Sequence, residues 1–122
     1  MSVDVEEHFH VAAFDAHIPR DAWGNMESRV ERNTDRLLEV FAERGIQATF
    51  FVLGWVAERH PSLIRRIVAG GHELASHGYS HVPVFRQDAA TFAADASRSK
   101  GILEQTGGCR VIGYRAASFS IV

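Results

Sequence analysis

The chain has 122 residues, of which 46% are hydrophobic and 23% are charged, and its formal net charge at pH 7 is −2. This composition is typical of one globular domain and argues against a disordered or fibrous chain. Lysines and arginines are scattered along the sequence rather than gathered into a run, so we do not expect nucleic acid as a partner.

The first half of the chain contains two predicted strands and one predicted helix. Ser2–Val5 is short and half β-branched and ends in charged residues, which predicts a strand that emerges at a site. Apolar residues at helical spacing predict a helix over 26–44, with Ser28 or Asn33 as a local cap. The continuous apolar run 48–53 predicts a second strand, covered on both faces.

The second half repeats the pattern. A helix is predicted to begin at Pro61 and to stop at a Gly-Gly pair, followed by a third strand over 72–76. Asp88 is expected to cap a further helix that a second Gly-Gly pair ends, and 111–114 is predicted to form a fourth strand.

Strands alternating with helices at this spacing indicate a parallel sheet, because each helix must return the chain to the same end of the sheet. We predict an α/β fold, a parallel (β/α) barrel.

A closed barrel of this type needs about 250 residues, so this chain would supply roughly its first half. The apolar tail 118–122 has no turn residues, so we expect residues 1–122 to be the N-terminal part of a single truncated domain. Open strand edges would permit self-association.

The most informative pattern combines two histidines four residues apart, His77 and His81, with the acidic cluster 4–7. Imidazole nitrogens and a carboxylate oxygen are the usual ligands of a catalytic zinc-type ion, and a three-ligand set leaves one position for water. Asp4 is a second carboxylate that could take the proton from that water. These residues and Arg115 all follow predicted strands, which places them at the edge where barrel enzymes build their sites.

Each of these residues also has a structural interpretation. Two histidines at this spacing could be exposed on one helix face, the acids could form a solvated strand end, and Arg115 could pair with a surface carboxylate. His8 and His10 either line a cleft or are polar positions in a loop.

Four segments carry a resemblance to a known family: SVDVEE (2–7), ATFFVLG (48–54), GHELASHGYSH (71–81) and GYRAASF (113–119). In these segments the chain resembles the N-terminal part of a polysaccharide deacetylase of the NodB-homology type, carbohydrate esterase family 4. The branch that it resembles most is bacterial and associated with exopolysaccharide export. The resemblance extends over essentially all 122 residues and implies a distorted, TIM-like barrel.

The resemblance implies a role for each candidate residue. Asp4 matches the family's catalytic base, and Arg115 matches the arginine that orients it. His77 and His81 match the two metal-binding histidines.

The carboxylate ligand is a departure from the family pattern. Many members have two adjacent aspartates, whereas here Val5 separates Asp4 from the next acid. Positions 4 and 6 of a strand point to the same side, which favours Glu6 as the metal ligand, with Glu7 as the fallback.

The implied activity is metal-assisted hydrolysis of N-acetyl groups on an oligo- or polysaccharide, which releases acetate. The ion would lower the pKa of its bound water toward roughly 7 and polarise the acetamide carbonyl, and Asp4 would remove the proton. Histidine and carboxylate donors suit zinc, cobalt, nickel, manganese and iron alike, and zinc is the metal that we expect first.

Two further departures concern Ala117, where the family usually has proline, and the family's later motifs. These motifs include the histidine that acts as general acid and would lie beyond Val122. We therefore expect the fragment not to turn over substrate by itself. Two other functions remain open: hydrolysis of a cyclic amide such as a ureide, and a non-catalytic sugar-binding module.

The cellular compartment is predicted from absences in the sequence. Cys109 is the only cysteine, so an internal disulfide and a thiolate metal cage are both excluded. Acidic residues follow Met1 where a secretory signal would have basic residues, and no apolar run is long enough to span a bilayer. We expect a cytoplasmic protein without a membrane segment, provided that Met1 is the true start.

Overall fold

The computed structural model of the protein describes residues 1–10 and 18–119. Three strands lie in one sheet: β1 (Ser2–Val5), β2 (Thr49–Val52) and β3 (Glu73–Ser76). The α-helices are α1 (Val30–Arg44), α2 (Gly54–Arg59), α3 (Pro61–Ala69) and α4 (Ala89–Gly107). Short 3-10 turns occur at His8–His10, Arg20–Asn25, Val84–Arg86 and Ala117–Phe119.

The sheet is parallel, and its strands follow chain order, β1-β2-β3. Val5 pairs with Val52, and Val52 pairs with Ser76, so the last residues of the three strands lie side by side. The segments that leave β1 and β3 therefore start from the same edge of the sheet.

Helices bury the apolar side chains of the sheet. Phe41 of α1 packs against Phe50 of β2, with ring centroids 6.1 Å apart. Helices α3 and α4 pack against β3 and bury Leu63 and Leu103 completely. Burial of one such side chain contributes about 1.5–3 kcal/mol to the stability of the fold.

Most of the predicted elements are confirmed. The first strand has the predicted bounds, and strands two and three are present but slightly shorter than predicted. Helix α3 begins at Pro61, and the Asp88 side chain caps α4 by accepting a hydrogen bond from Thr91 N at 2.7 Å.

The prediction for the start of α1 is wrong. The helix begins at Val30 rather than at residue 26, and Arg29 occupies the N-cap position. Neither Ser28 nor Asn33 caps it. The Glu7 carboxylate, 23 residues earlier, accepts a hydrogen bond from Val30 N at 2.8 Å. A cap from another element cannot be predicted from local spacing.

The predicted fourth strand is also wrong. Within 111–114 only Tyr114 pairs with the sheet, as an isolated parallel bridge to Ser76. Val111 N donates to the Glu104 side chain at 2.9 Å instead of to a neighbouring strand, and Ile112 is 75% exposed. The segment therefore contacts β3 through this bridge but forms no ladder.

Helix α2 was not predicted, because six residues are too few to show a helical period. It begins directly after β2 and contributes to the site, since its first N–H groups donate to the loop after β3: Gly54 N to Gly78 O and Trp55 N to Tyr79 O, both at 2.9 Å.

Within residues 1–10 and 18–119, no helix is both long and apolar enough to cross a lipid bilayer.

Candidate metal centre and active site

Three side chains from two segments converge at the edge of the sheet. Glu6 follows β1, and His77 and His81 follow β3; one ligand atom from each lies within 4.8 Å of the others. The Oε2 atom of Glu6 is 3.0 Å from His81 Nε2 and 3.5 Å from His77 Nε2. We call these three residues the ligand cluster.

The two histidines do not lie on a helix face. They belong to an irregular loop in which Gly78 has a φ of +82° and His81 a φ of +59°. The left-handed backbone at His81 costs roughly 1 kcal/mol or more, and such strain is concentrated at functional sites. Both imidazoles are almost completely buried, and their centroids are 5.1 Å apart. The alternative of two exposed helix-face histidines is wrong.

Neighbouring elements fix this loop. In addition to the two hydrogen bonds from α2, Asp95 of α4 accepts one from Tyr79 N at 3.3 Å. The His77 Nδ1 atom lies 2.8 Å from the carbonyl oxygen of Arg115. A hydrogen bond there holds the proton on Nδ1 and leaves Nε2 directed at Glu6 as a free donor atom for a cation.

Asp4 lies beside the ligand cluster. Its Oδ2 atom is 3.9 Å from His77 Nε2, and its Oδ1 accepts a hydrogen bond from Arg115 Nη1 at 2.6 Å. Arg115 is itself held, because Nη2 donates to Ser2 Oγ at 2.7 Å and the guanidinium lies 4.1 Å from the centroid of the Phe51 ring. Neither Ser2 nor Phe51 was a candidate, since no sequence pattern links them to a site.

The ligand cluster has the chemistry of a cation site. Burial alone would raise the pKa of Glu6, but the close approach of the His77 and His81 imidazoles and their charge outweigh it, so its pKa falls from 4.5 to about 2. Burial lowers the pKa of His77, but the carboxylates and the Arg115 carbonyl raise it by more.

Two buried ligand atoms also lack a hydrogen-bond partner of acceptable geometry among the described residues: Glu6 Oε2 and His77 Nε2. Unsatisfied buried polar atoms are costly, and a divalent cation would satisfy both. The residues present therefore fit a metal ion.

Glu7, the fallback ligand, is not part of the ligand cluster, and its carboxylate caps α1. His8 is exposed and lines a cleft of about 220 Å³ together with Asp4 and Glu6. His10 is fully buried in a cluster of aromatic rings and does not line this cleft; its Nδ1 accepts a hydrogen bond from Glu7 N at 2.7 Å.

Comparison with known proteins assigns the chain to a family. Residues 9–120 match the family profile described as polysaccharide deacetylase. The chain belongs to the polysaccharide deacetylase family. Among curated relatives of this deacetylase-family chain, a chitooligosaccharide deacetylase of Sinorhizobium fredii is 52% identical over 48 residues. These residues are 39% of this chain and 22% of the relative, so the match spans less than a quarter of that protein.

Solved structures agree with this assignment. A protein from Mycobacterium smegmatis, assigned as a polysaccharide deacetylase, is 31% identical with a TM-score of 0.78 over 97% of this chain and 42% of that chain. A pseudoenzyme of carbohydrate esterase family 4 from Bacillus anthracis is 19% identical with a TM-score of 0.74 over 79% of this chain and 34% of that chain. The predicted fold class is confirmed: the chain forms part of a TIM-like barrel with parallel strands.

Proposed function

We propose that this chain carries the metal-binding part of a hydrolase that removes N-acetyl groups from amino-sugar polymers. One observation carries the proposal. The ligand atoms of Glu6, His77 and His81 lie within 4.8 Å of one another, and the carboxylate of Asp4 lies beside them. This arrangement combines a three-ligand cation site with a separate base.

Each residue of the site has its own role in the proposed hydrolysis. Glu6, His77 and His81 would hold a divalent cation, with zinc as the first candidate. When bound, such an ion supplies Lewis-acid polarisation of the amide carbonyl and acidifies water. Asp4 accepts the proton of the attacking water at a carboxylate that Arg115 holds in place. A general acid must then protonate the departing amine, and we expect it to follow Val122.

The substrate class follows from the family and its named relatives. The Sinorhizobium relative is a chitooligosaccharide deacetylase, which supports an N-acetylglucosamine polymer as substrate. A cleft of about 220 Å³ is lined by Asp4 and Glu6 and lies next to the ligand cluster, although neither histidine of that cluster lines it. We further propose that the chain is the N-terminal part of one deacetylase domain, because it covers 42% of the solved Mycobacterium chain.

Metal content after dialysis tests the ligand set. His77→Ala and His81→Ala should each reduce bound zinc from about one equivalent to a small fraction, because each removes one of three protein ligands. His60→Ala is the matched control, since His60 lies outside the ligand cluster and contacts Glu31. Unchanged stoichiometry in both cluster variants would exclude these ligands.

Acetate release from N-acetylglucosamine oligomers tests the activity, measured on the full-length gene product that contains this chain. Removal of the base by Asp4→Asn should lower kcat by about 10²–10⁴ while zinc remains bound. A zinc-loaded protein that binds these oligomers but releases no acetate would instead indicate a non-catalytic sugar-binding module. That alternative stays open because the same fold occurs in a family pseudoenzyme.

A further inference from the structure

Among the described residues, Glu7 is the acidic residue with the least exposed surface, 2%, although it is adjacent to Glu6. A carboxylate is taken out of water only where hydrogen bonds replace its hydration. Hydrogen bonds must therefore stabilise the buried Glu7 carboxylate. The proposed function gives a role to Glu6 and leaves Glu7 without one.

The first N–H groups of α1 supply those hydrogen bonds. Glu7 Oε1 accepts from Arg29 N and Val30 N, both at 2.8 Å, and from Ser28 Oγ at 2.6 Å. Its Oε2 lies 3.1 Å from Arg29 N. The carboxylate thus caps α1 from another part of the chain, and its charge lies at the positive end of the helix dipole.

The backbone of Glu7 is fixed as well. Its N–H donates to His10 Nδ1 at 2.7 Å, and its carbonyl oxygen accepts from His10 N at 3.0 Å. His10 is enclosed by the rings of Phe9, Trp23 and Trp55. Glu7 is therefore held by its side chain on one side and by its peptide groups on the other.

Glu6 lies between two immobilised neighbours. Val5 is the last residue of β1 and is 1% exposed, and Glu7 is anchored to α1 and His10. The Glu6 backbone has little freedom to turn, and its carboxylate is directed at His81 Nε2, 3.0 Å away. Residues that orient a ligand in this way commonly change metal affinity 10–100-fold when they are replaced.

We infer that Glu7 is a positioning residue of the metal centre, which directs Glu6 at the two histidines by tying the end of β1 to the N-terminus of α1. The inference rests on the proposed function, because it assumes that the ligand cluster binds a cation. The two consecutive glutamates then have different roles. Glu6 contributes a ligand atom, and Glu7 fixes the direction in which the Glu6 side chain points.

Cobalt titration of the metal-free chain tests the inference. Glu7→Gln keeps one acceptor oxygen but replaces the other with an NH₂ group that faces Arg29 N. We expect its Kd for Co²⁺ to rise about 10-fold, with a shift or broadening of the visible Co²⁺ absorption bands. Those bands report ligand geometry, which a loss of fold stability alone does not change. Glu7→Ala should give a larger effect, and Ser28→Ala, which removes one donor, a smaller one.

Asp88→Ala is the matched control, since the Asp88 carboxylate also caps a helix, α4, and lies outside the ligand cluster. It should lower the stability of the metal-free chain but leave the Co²⁺ Kd within twofold and the spectrum unchanged. If Glu7→Ala fails to fold, Glu7→Gln and Ser28→Ala still decide the question. A Glu7→Gln chain with the Kd and spectrum of Asp88→Ala would overturn the inference and leave the proposed function intact. Failure of the unsubstituted chain to bind Co²⁺ would overturn both.

Discussion

At the scale of single residues, His10 shows how burial links the fold to pH. Burial lowers the pKa of His10 from 6.5 to about 3, by more than the charge of Glu6 raises it. The unfolded chain therefore binds a proton between pH 6.5 and 3 that the folded chain does not bind. In that window stability falls as pH falls, by at most about 1.4 kcal/mol per pH unit from this group.

Replacing His10 should remove this dependence. In His10→Asn the amide oxygen can accept the hydrogen bond from Glu7 N, but the side chain no longer titrates. We expect the free energy of unfolding, measured in urea at pH 4, 5 and 6, to change less steeply with pH than in the unsubstituted chain. His8→Asn, at an exposed position two residues away, is the control for replacing a histidine in this segment. Equal slopes for His10→Asn and the unsubstituted chain would contradict this account.

The same scale shows what the sequence could and could not predict about the site. The site residues could be placed at one edge because each lies at or just after the end of a predicted strand, and the structure brings them together: Asp4, Glu6, His77 and Arg115. The choice between Glu6 and Glu7 was left open, because β1 ends at Val5 and strand alternation does not extend beyond it. That Glu6, His77 and His81 bind a metal remains a prediction.

At the scale of elements, the contact between α2 and the loop after β3 determines where the histidines lie. Gly54 begins α2, and a Cβ atom there would lie 2.8 Å from Tyr79 Cδ2 and 3.4 Å from Ser99 Cβ. The Tyr79 ring cannot readily move, because the Arg98 guanidinium covers it at 3.7 Å and its hydroxyl donates to Glu58 at 3.2 Å. A side chain at position 54 must therefore displace the loop.

Gly54→Ala should consequently destabilise the fold by about 1–3 kcal/mol, as overpacking of a filled interior does, and weaken zinc binding. The measurements are urea unfolding and zinc titration. Gly101→Ala is the matched control, because a Cβ there meets no described atom within 4 Å and the residue lies inside α4. It should stabilise the chain by about 0.5–1 kcal/mol and leave zinc affinity unchanged. Unchanged stability and zinc affinity in Gly54→Ala would show that the loop tolerates the displacement.

Elements were predictable where local chemistry determines them. Pro61 and Asp88 mark helix starts that depend only on their own residues, and both are confirmed. The start of α1 depends on Glu7, which is distant in sequence, and the predicted strand over 111–114 depends on neighbours. Among the described residues no strand lies on the far side of this segment, so Val111 N donates to the Glu104 side chain instead.

At the scale of the whole molecule, the parallel sheet brings Glu6 close to two histidines that follow it by 71 and 75 positions, and so makes a metal centre possible. The register sets Val5, Val52 and Ser76 side by side, so the segments that follow β1 and β3 meet above one edge. Binding of a cation by both segments would then oppose their separation. Metal binding and folding of this chain are therefore expected to be coupled.

This coupling predicts a stability that depends on both zinc and pH. Zinc at about 100 times its Kd should raise the free energy of unfolding by about 2.7 kcal/mol if the unfolded chain does not bind it. The carboxylates raise the pKa of His77 above 6.5 despite its burial, and zinc binds the neutral imidazole, so protons compete with the metal as pH falls through that raised pKa. The zinc-induced rise in Tm should accordingly be larger at pH 8 than at pH 6.

The His81→Ala variant separates this effect from ordinary acid destabilisation, because it lacks one ligand and should show little zinc-induced shift at either pH. EDTA should return the unsubstituted chain to its metal-free Tm. A zinc-induced shift that is equal at pH 6 and pH 8 would mean that His77 does not exchange a proton for the metal. A zinc-induced shift of the same size in His81→Ala would mean that zinc binds elsewhere, because the loss of one of three ligands should weaken binding at the ligand cluster.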